Sequence, residues 1–252
     1  MAELRPLVEF LDDYLQVHEI DDYPGSLNGL QFEPRGPIDR IAAATDASLV
    51  TIGMAAKAGA RLMLVHHGLF WGDPKPMIGA RHRRFRSLFE ADLGVYAAHL
   101  PLDLHAEVGN GTQLCVALGF EPKGRFGSAL GNEGIGVTAD MELDRDELMV
   151  RVAETCAVKP YLVAGGPEEV RRLGIVTGGG SSMLEQAAEA GLDTFVTGEG
   201  AHHTYHEATE LGINVIFAGH YATETFGVKA LAEKVASEFD LGWEFLDFPT
   251  GL

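Results

Sequence analysis

Short apolar runs of strand length alternate with amphipathic segments of helix length along almost the whole chain. The runs predict strands at 40–46, 61–66, 93–99, 134–140, 160–165, 172–178, 193–198, 213–219 and 243–248. Segments such as "RDELMVRVAETC" and "SSMLEQAAEAG" between them have the apolar spacing of helices. Strand, helix and strand in repeated order are typical of α/β proteins, because right-handed crossover helices return the chain to a parallel neighbour. The pattern predicts an α/β fold with mostly parallel sheets.

The length of 252 residues is enough for one large domain or two small ones. The best candidate for a boundary is the stretch "EPKGRFGSALGNEG" at 121–134, which is rich in glycine and charge. It has little hydrophobic periodicity, and regular patterns resume on both sides of it.

The net charge is −18, and this excludes several classes of partner. No basic stripe is present to neutralise phosphates, so we expect no nucleic acid ligand and no anionic membrane surface as partner. The N-terminal segment is acidic and amphipathic, without the pattern of a secretory signal, and no stretch is long enough for a membrane span. We expect a cytoplasmic protein in which Cys115 and Cys156 are buried free thiols rather than a disulfide.

Three predicted strands end in side chains that bind metals. They are His66 and His67, His99 and Asp103, and His220 and Glu224. In open α/β sheets, ligands bind at the carboxyl ends of strands, so the three ends are expected to meet at one edge. Pro101 is expected to prevent a regular helix after His99.

Imidazoles and carboxylates together suit divalent Zn, Mn, Fe, Co or Ni. The candidate ligands are too many for one tetrahedral ion. Their number therefore suggests two ions per chain, with a carboxylate bridging them.

Several motifs, in this order along the chain, resemble one known family. They are "SLNGLQFE", "TDAS", "LVHHG", "AHLPLD", "VTGEGAHH" and "GHYATE". The chain resembles the dinuclear-metal-centre hexameric protein family, whose members are often labelled GTP cyclohydrolase 1 type 2 homologs. The resemblance spans about the whole chain, and the length is similar to that of the short bacterial form, which lacks an inserted domain.

The resemblance implies two interlinked α/β domains with mostly parallel sheets and sites at strand carboxyl ends. It implies a metal-binding domain of residues 1–125 plus 214–252 and a second domain of residues 126–213. The implied ligands of the two divalent ions are His66, His67, Asp103, His220 and Glu224. Glu224 would bridge the ions, and His99 would be a catalytic residue beside them. The implied assembly is a homo-hexamer, a trimer of dimers.

The resemblance also implies a metal-dependent hydrolase with a small-molecule substrate such as a nucleotide. In a reaction like that of GTP cyclohydrolase 1 type 2, hydroxide would attack C8 of the purine, open the imidazole ring and release formate. His99 would then move protons. The alternative is a carrier or insertion protein that handles metal without turnover, and the same ligands would serve it.

Other polar stretches leave choices open. The stretch at 198–210 holds His202, His203 and His206, but it lacks the second histidine of a His-Glu-x-x-His zinc motif. We interpret it as a wall near the metals, with Thr197, Glu199 and His202 facing substrate.

The basic cluster "RHRRFRS" at 81–87 is interpreted as a solvated helix face, with a phosphorylated substrate or a neighbouring subunit as alternatives. Ser181 or Ser182 is expected to cap a helix.

Overall fold

The computed structural model describes residues 1–252 and separates into two compact units. The first comprises Met1–His105 and Gly227–Phe248, and the second comprises Ala106–Phe226 and Pro249–Leu252. The chain therefore leaves the first unit, builds the second and returns to the first. The predicted α/β class is confirmed. None of the helices is both long enough and apolar enough to cross a membrane.

The first unit is built on a five-stranded sheet. Its elements are α1 (Leu4–Leu15), β1 (Gly29–Phe32), β2 (Arg40–Asp46), α2 (Leu49–Lys57), β3 (Leu62–His67), α3 (Gly79–Ala91), β4 (Gly94–Ala97), α4 (Leu100–Asp103), α10 (Thr225–Phe239) and β11 (Gly242–Phe245). The strand order is β1-β4-β3-β2-β11. All neighbours in this sheet are parallel except β1 and β4, which are antiparallel.

The central strands of this sheet are buried almost throughout. Their runs "IAAAT" and "LMLV" contain no charged residue, as is typical of parallel strands covered on both faces. Small alanines in β2 contribute to the core beside Met63 and Val65 of β3. Asp46 at the end of β2 pairs in register with His67 at the end of β3. The apolar core thus fixes which polar side chains lie at the carboxyl edge of the sheet.

The second unit is built on a six-stranded sheet. Its elements are α5 (Asn110–Ala117), β5 (Gly124–Ala129), β6 (Asn132–Asp144), α6 (Arg145–Cys156), β7 (Tyr161–Ala164), β8 (Glu169–Val176), a 3-10 helix (Gly180–Met183), α7 (Leu184–Glu189), β9 (Thr194–Thr197), α8 (Thr204–Leu211), β10 (Asn214–Phe217) and α9 (His220–Thr223). The strand order is β5-β6-β8-β9-β10-β7. Strands β8, β9 and β10 are parallel, and Val176 and Phe217 both pair in register with Thr197, so these strands end level with one another.

Several expectations about elements were wrong. The stretch at 121–134, the candidate boundary, is not irregular, because most of it forms β5 and the start of β6, an antiparallel pair. Pro101 lies in the first turn of α4, where a missing N–H costs nothing, so His99 precedes a short helix. Neither Ser181 nor Ser182 caps a helix through its side chain.

The predicted domain limits, residues 1–125 plus 214–252 and residues 126–213, stay a prediction. In the structure, β10 is hydrogen-bonded between β9 and β7 of the six-stranded sheet. Cys115 and Cys156 are buried free thiols, as expected. Burial raises the pKa of Cys115 to about 11 and that of Cys156 to about 12.

Candidate metal-binding residues

His66 and His67 are the last two residues of β3, and each ring is held by an acceptor at Nδ1. Nδ1 of the buried His66 lies 3.0 Å from the carbonyl oxygen of Ala98, and Nδ1 of His67 lies 2.9 Å from Oδ1 of Asp46. A carbonyl or carboxylate oxygen can only accept, so the proton lies on Nδ1 of each ring. Nε2 of each ring is then the nitrogen with the lone pair that a metal requires.

His99 follows β4 and has the same arrangement. Its Nδ1 lies 2.8 Å from Oδ1 of Asp22, and its backbone N–H donates to Oδ1 of Asn28 at 2.8 Å. The Asn28 side chain in turn donates to Oδ2 of Asp22 at 2.8 Å. Burial alone would raise the pKa of Asp22, but the hydrogen bonds from His99, Asn28 and the Tyr23 backbone lower it. Asp22 is therefore a carboxylate that fixes the orientation of His99.

The three imidazoles converge on one small volume. One ligand nitrogen from each of His66, His67 and His99 lies within 4.8 Å of those of the other two. The ring centroid of His66 lies 4.7 Å from that of His67 and 4.9 Å from that of His99. Three oriented imidazoles at this spacing form a group that could hold a divalent ion.

Asp103 lies at the end of α4, close to the same group. Its Oδ2 is 3.6 Å from Nε2 of His66, and its side chain is only 14% exposed. The structure thus brings together His66, His67, His99 and Asp103, all of which the strand ends predicted.

Trp71 covers this group, and the sequence did not single it out. Its ring lies edge-on to His99, with centroids 5.0 Å apart, and its indole N–H donates to the carbonyl oxygen of Gly68. Gln31 of β1 accepts a hydrogen bond from the Leu69 backbone, and a Cβ at Gly68 would overlap the Gln31 side chain. This loop can therefore pass the histidines only with glycine at position 68.

His220 and Glu224 form the candidate group of the second unit. His220 is the first residue of α9, and its Nε2 lies 3.1 Å from Oε2 of the buried Glu224. Its Nδ1 lies 2.9 Å from Oε1 of Glu199, in the loop after β9. The hydrogen bond to Glu224 raises the pKa of His220 to about 9 against the effect of burial, and Glu199 adds to the rise. Two carboxylates thus favour a positive charge here, which is the condition a cation site needs.

The turn after β8 supports Glu224. Gly178 has a φ of +61°, and a Cβ on it would overlap Oε1 of Glu224. Its backbone N–H donates to Oγ1 of Thr223 at 3.0 Å. Thr197 donates to the Gly178 carbonyl oxygen and accepts from the Gly180 N–H, and it is fully buried. The interpretation of Thr197 as a substrate-facing residue was therefore wrong, because its hydroxyl holds this turn.

The stretch at 198–210 contains three exposed histidines, His202, His203 and His206. His202 and His206 have ring centroids 5.8 Å apart, and His203 lies 3.9 Å from Glu207. The basic cluster lies on α3, where Arg86 is paired with Glu90 and Arg81 lies over the ring of Phe70.

Sequence reasoning missed the carboxylates that orient the imidazoles. Asp46 could have been found, because it ends an apolar strand as His66 and His67 do. Asp22 has no local signal, since it lies in an irregular segment and meets His99 only through the fold.

Comparison with known proteins agrees with this architecture. A protein described as GTP cyclohydrolase 1 type 2 homolog from Deinococcus radiodurans is 44% identical, over 98% of this chain and 93% of its own length. A protein with the same description from Archaeoglobus fulgidus is 39% identical over 99% of both chains.

Solved structures are similar over nearly the whole chain. The crystal structure of TTHA1606 from Thermus thermophilus has a TM-score of 0.89 and 40% identity, and covers 98% of this chain and 99% of that one. The protein ybgI, described as of unknown function, has a TM-score of 0.91 and 34% identity with the same coverage. The sequence profile of one family matches residues 2–249, and the chain therefore belongs to the Duf34/NIF3 (NGG1p interacting factor 3) family.

Proposed function

We propose that this protein is a dinuclear-metal-dependent hydrolase that acts on a small molecule such as a nucleotide. The ligands in this proposal are His66, His67, Asp103, His220 and Glu224, with Glu224 as the bridge between two divalent ions. The observation that carries the proposal is the orientation of the imidazoles. His66, His67 and His99 all use Nδ1 for a fixed acceptor, which leaves Nε2 of His66 and His67 as ligand atoms and Nε2 of His99 for proton transfer.

The donor set fits such ions chemically. Neutral imidazoles and carboxylates are ligands for Zn, Mn, Fe, Co and Ni, and the two cysteines are buried in helices α5 and α6. When bound, the ions would supply Lewis acidity, which lowers the pKa of water toward neutrality.

The protein residues have their own part in the reaction. Asp22 keeps the Nδ1 proton of His99 in place, so His99 can accept or donate a proton only at Nε2. Glu199 fixes His220 in the same way. The edge of Trp71 limits the space on one side of His99 and His67.

The relatives described as GTP cyclohydrolase 1 type 2 homologs support a purine nucleotide as the first substrate to test.

The test is metal content, measured together with turnover. The purified protein, supplemented with each candidate metal, is expected to hold close to two divalent ions per chain by elemental analysis. Glu224→Gln replaces a charged carboxylate with a neutral amide, so the binding of both ions should weaken and turnover on a panel of nucleotides should be lost. Glu210→Gln, an exposed residue of α8, is the matched control and should retain both ions and turnover.

Two results would contradict the proposal. A parent protein with one ion or none after supplementation excludes the dinuclear site. A Glu224→Gln protein that keeps both ions excludes the bridge. A parent that holds its ions loosely, passes them to an acceptor and turns over no substrate would instead favour the carrier.

A further inference from the structure

An open cavity of about 520 Å³ lies in the second unit, beside the residues that hold His220. Its volume is in the range of small-molecule sites. Six of its lining side chains carry the chemistry: Lys159, Tyr161, Glu199, His202, Tyr205 and Phe217. The proposed function uses only Glu199 of these, through its bond to His220.

The floor of the cavity is aromatic, and the fold fixes it. Tyr161 of β7 and Phe217 of β10 are paired in register, and their rings stack with centroids 6.3 Å apart and an interplanar angle of 18°. Tyr161 is 59% exposed, and Tyr205 on α8 is 49% exposed. A Cβ at Gly200 would overlap the Phe217 ring, so the absence of a side chain there lets the loop lie against the aromatic floor. Exposed ring faces around a cavity of this size are suited to stacking with a planar ligand.

The polar groups of the cavity indicate which charge its ligand would carry. Lys159 is exposed and takes part in no ion pair, and it lies two residues before Tyr161. It is the one lysine among the lining residues, which include no arginine, while Glu199 brings a carboxylate. One lysine matches an anionic group of low charge. Without bound metal it is a poor match for a triphosphate, which carries about four negative charges and would meet a protein of net charge −18.

We propose that this cavity binds a planar heteroaromatic ring that carries a single anionic group, and that in the metal-free protein it disfavours nucleoside triphosphates. The ring stacks on Tyr161 and Phe217, the anionic group lies at Lys159, and ring N–H groups donate to Glu199. This inference rests on the proposed function, because it names the substrate class of the same site. A cavity of this kind would be specific for a ring with one anionic group and not for a triphosphate.

The test is binding of four probes to the full chain by calorimetry, in chelator-treated and metal-supplemented protein. The probes are guanosine monophosphate, guanosine triphosphate, guanosine and ribose 5-phosphate. In the chelator-treated protein the monophosphate should bind most tightly, and ribose 5-phosphate, which has no heteroaromatic ring, should not bind. Tyr161→Ala should weaken the monophosphate about tenfold, the usual effect of losing an aromatic stacking partner. Tyr161→Phe keeps the ring and should bind like the parent.

Lys159→Ala separates the anionic contact from the stacking contact. It should weaken the binding of the monophosphate roughly threefold, as expected for an exposed charge pair, and leave the binding of guanosine unchanged. Lys123→Ala removes another exposed lysine of the second unit, outside the cavity, and should change neither.

Tighter binding of the triphosphate by the chelator-treated protein, or unchanged binding of the monophosphate by Tyr161→Ala, would overturn the inference. A protein that holds two metals and binds none of the probes would overturn it too, while leaving the proposed metal site in place. A protein that binds the monophosphate through Tyr161 but holds no metal would support the inference as a binding site and contradict the proposed function.

Discussion

The candidate metal residues are defined by single hydrogen bonds at the back of each imidazole. Asp46, Asp22 and the Ala98 carbonyl oxygen each hold one Nδ1–H group. Asp46 ends β2 and Ala98 directly follows β4, so these two acceptors are positioned by strands that are buried for other reasons, whereas Asp22 lies in an irregular segment. Such partners fix the tautomer and raise the basicity of the ligand nitrogen, so they are functional without touching the metal.

We predict that Asp46→Asn weakens metal binding while leaving the fold intact. An amide oxygen can still accept the Nδ1–H bond of His67, but it carries no charge to make Nε2 more basic. The loss in affinity is expected to be roughly 10- to 100-fold, which is typical for such partners. Competition with a coloured chelator measures it. Asp39→Asn, an exposed carboxylate just before β2, is the control, and an Asp46→Asn protein with parental affinity would contradict the role of Asp46.

Asp22 gives a prediction about acid stability. Its pKa in the folded protein is lower than the ordinary value of 3.8, so its ionised form stabilises the fold above that value. The contribution is lost as the pH falls from about 4 through the lower pKa of the folded state. The midpoint of thermal unfolding should therefore fall more steeply below pH 4 in the parent than in Asp22→Asn. Asp73→Asn, at an exposed position, should follow the parent, and identical slopes for all three proteins would contradict this account.

At the scale of an element, the turn after β8 decides whether Glu224 can reach its place. Gly178→Ala combines two effects: strain at a φ of +61° and overlap with Oε1 of Glu224. Gly212, which ends α8 with a φ of +68°, has nothing within 4 Å of a Cβ, so Gly212→Ala introduces the strain alone. Both variants should lose about 1 kcal/mol from the backbone strain. Only Gly178→Ala should also lose metal, as measured by elemental analysis. Equal metal content in the two variants would show that the overlap is relieved elsewhere.

The elements that sequence predicted well are those that apolar burial dictates. The run at 40–46 is β2 to the residue, and the runs around β3 and β10 differ from the strands by one or two residues at an end. The polar residues at the ends of these strands could also be predicted from sequence. A histidine or carboxylate that follows four apolar residues is costly to bury, so it indicates a binding role.

What sequence missed has no such pattern. Strand β5 is rich in glycine and mostly exposed, so its apolar alternation is weak, and it is held by pairing with β6. Strand β1 has four residues, and the one that is buried is a glycine, Gly29. The partners Asp22 and Gln31 depend on contacts with residues 77 and 38 positions away, which no local window contains.

At the scale of the whole molecule, the exposed apolar surface and the net charge bear on assembly. We propose the homo-hexamer, a trimer of dimers, that the family resemblance implies. Several large apolar side chains of the first unit are exposed in the single chain, including Ile78 at 73% and Phe89 at 68%. Contact with further copies would remove such surface from water.

Charge sets the conditions under which this assembly should hold. Each chain carries a net charge of −18 at pH 7, so six copies repel one another strongly. Salt screens this repulsion, since the Debye length falls from about 30 Å at 0.01 M to about 3 Å at 1 M. We therefore predict a mass of six times the 27.1 kDa chain by light scattering at high salt, with smaller species appearing as salt is lowered and protein diluted. A monomeric mass at every salt concentration would contradict the hexamer. A hexamer that dissociates when salt is raised would contradict the electrostatic argument, because it would mean that attraction between charged groups holds the copies together.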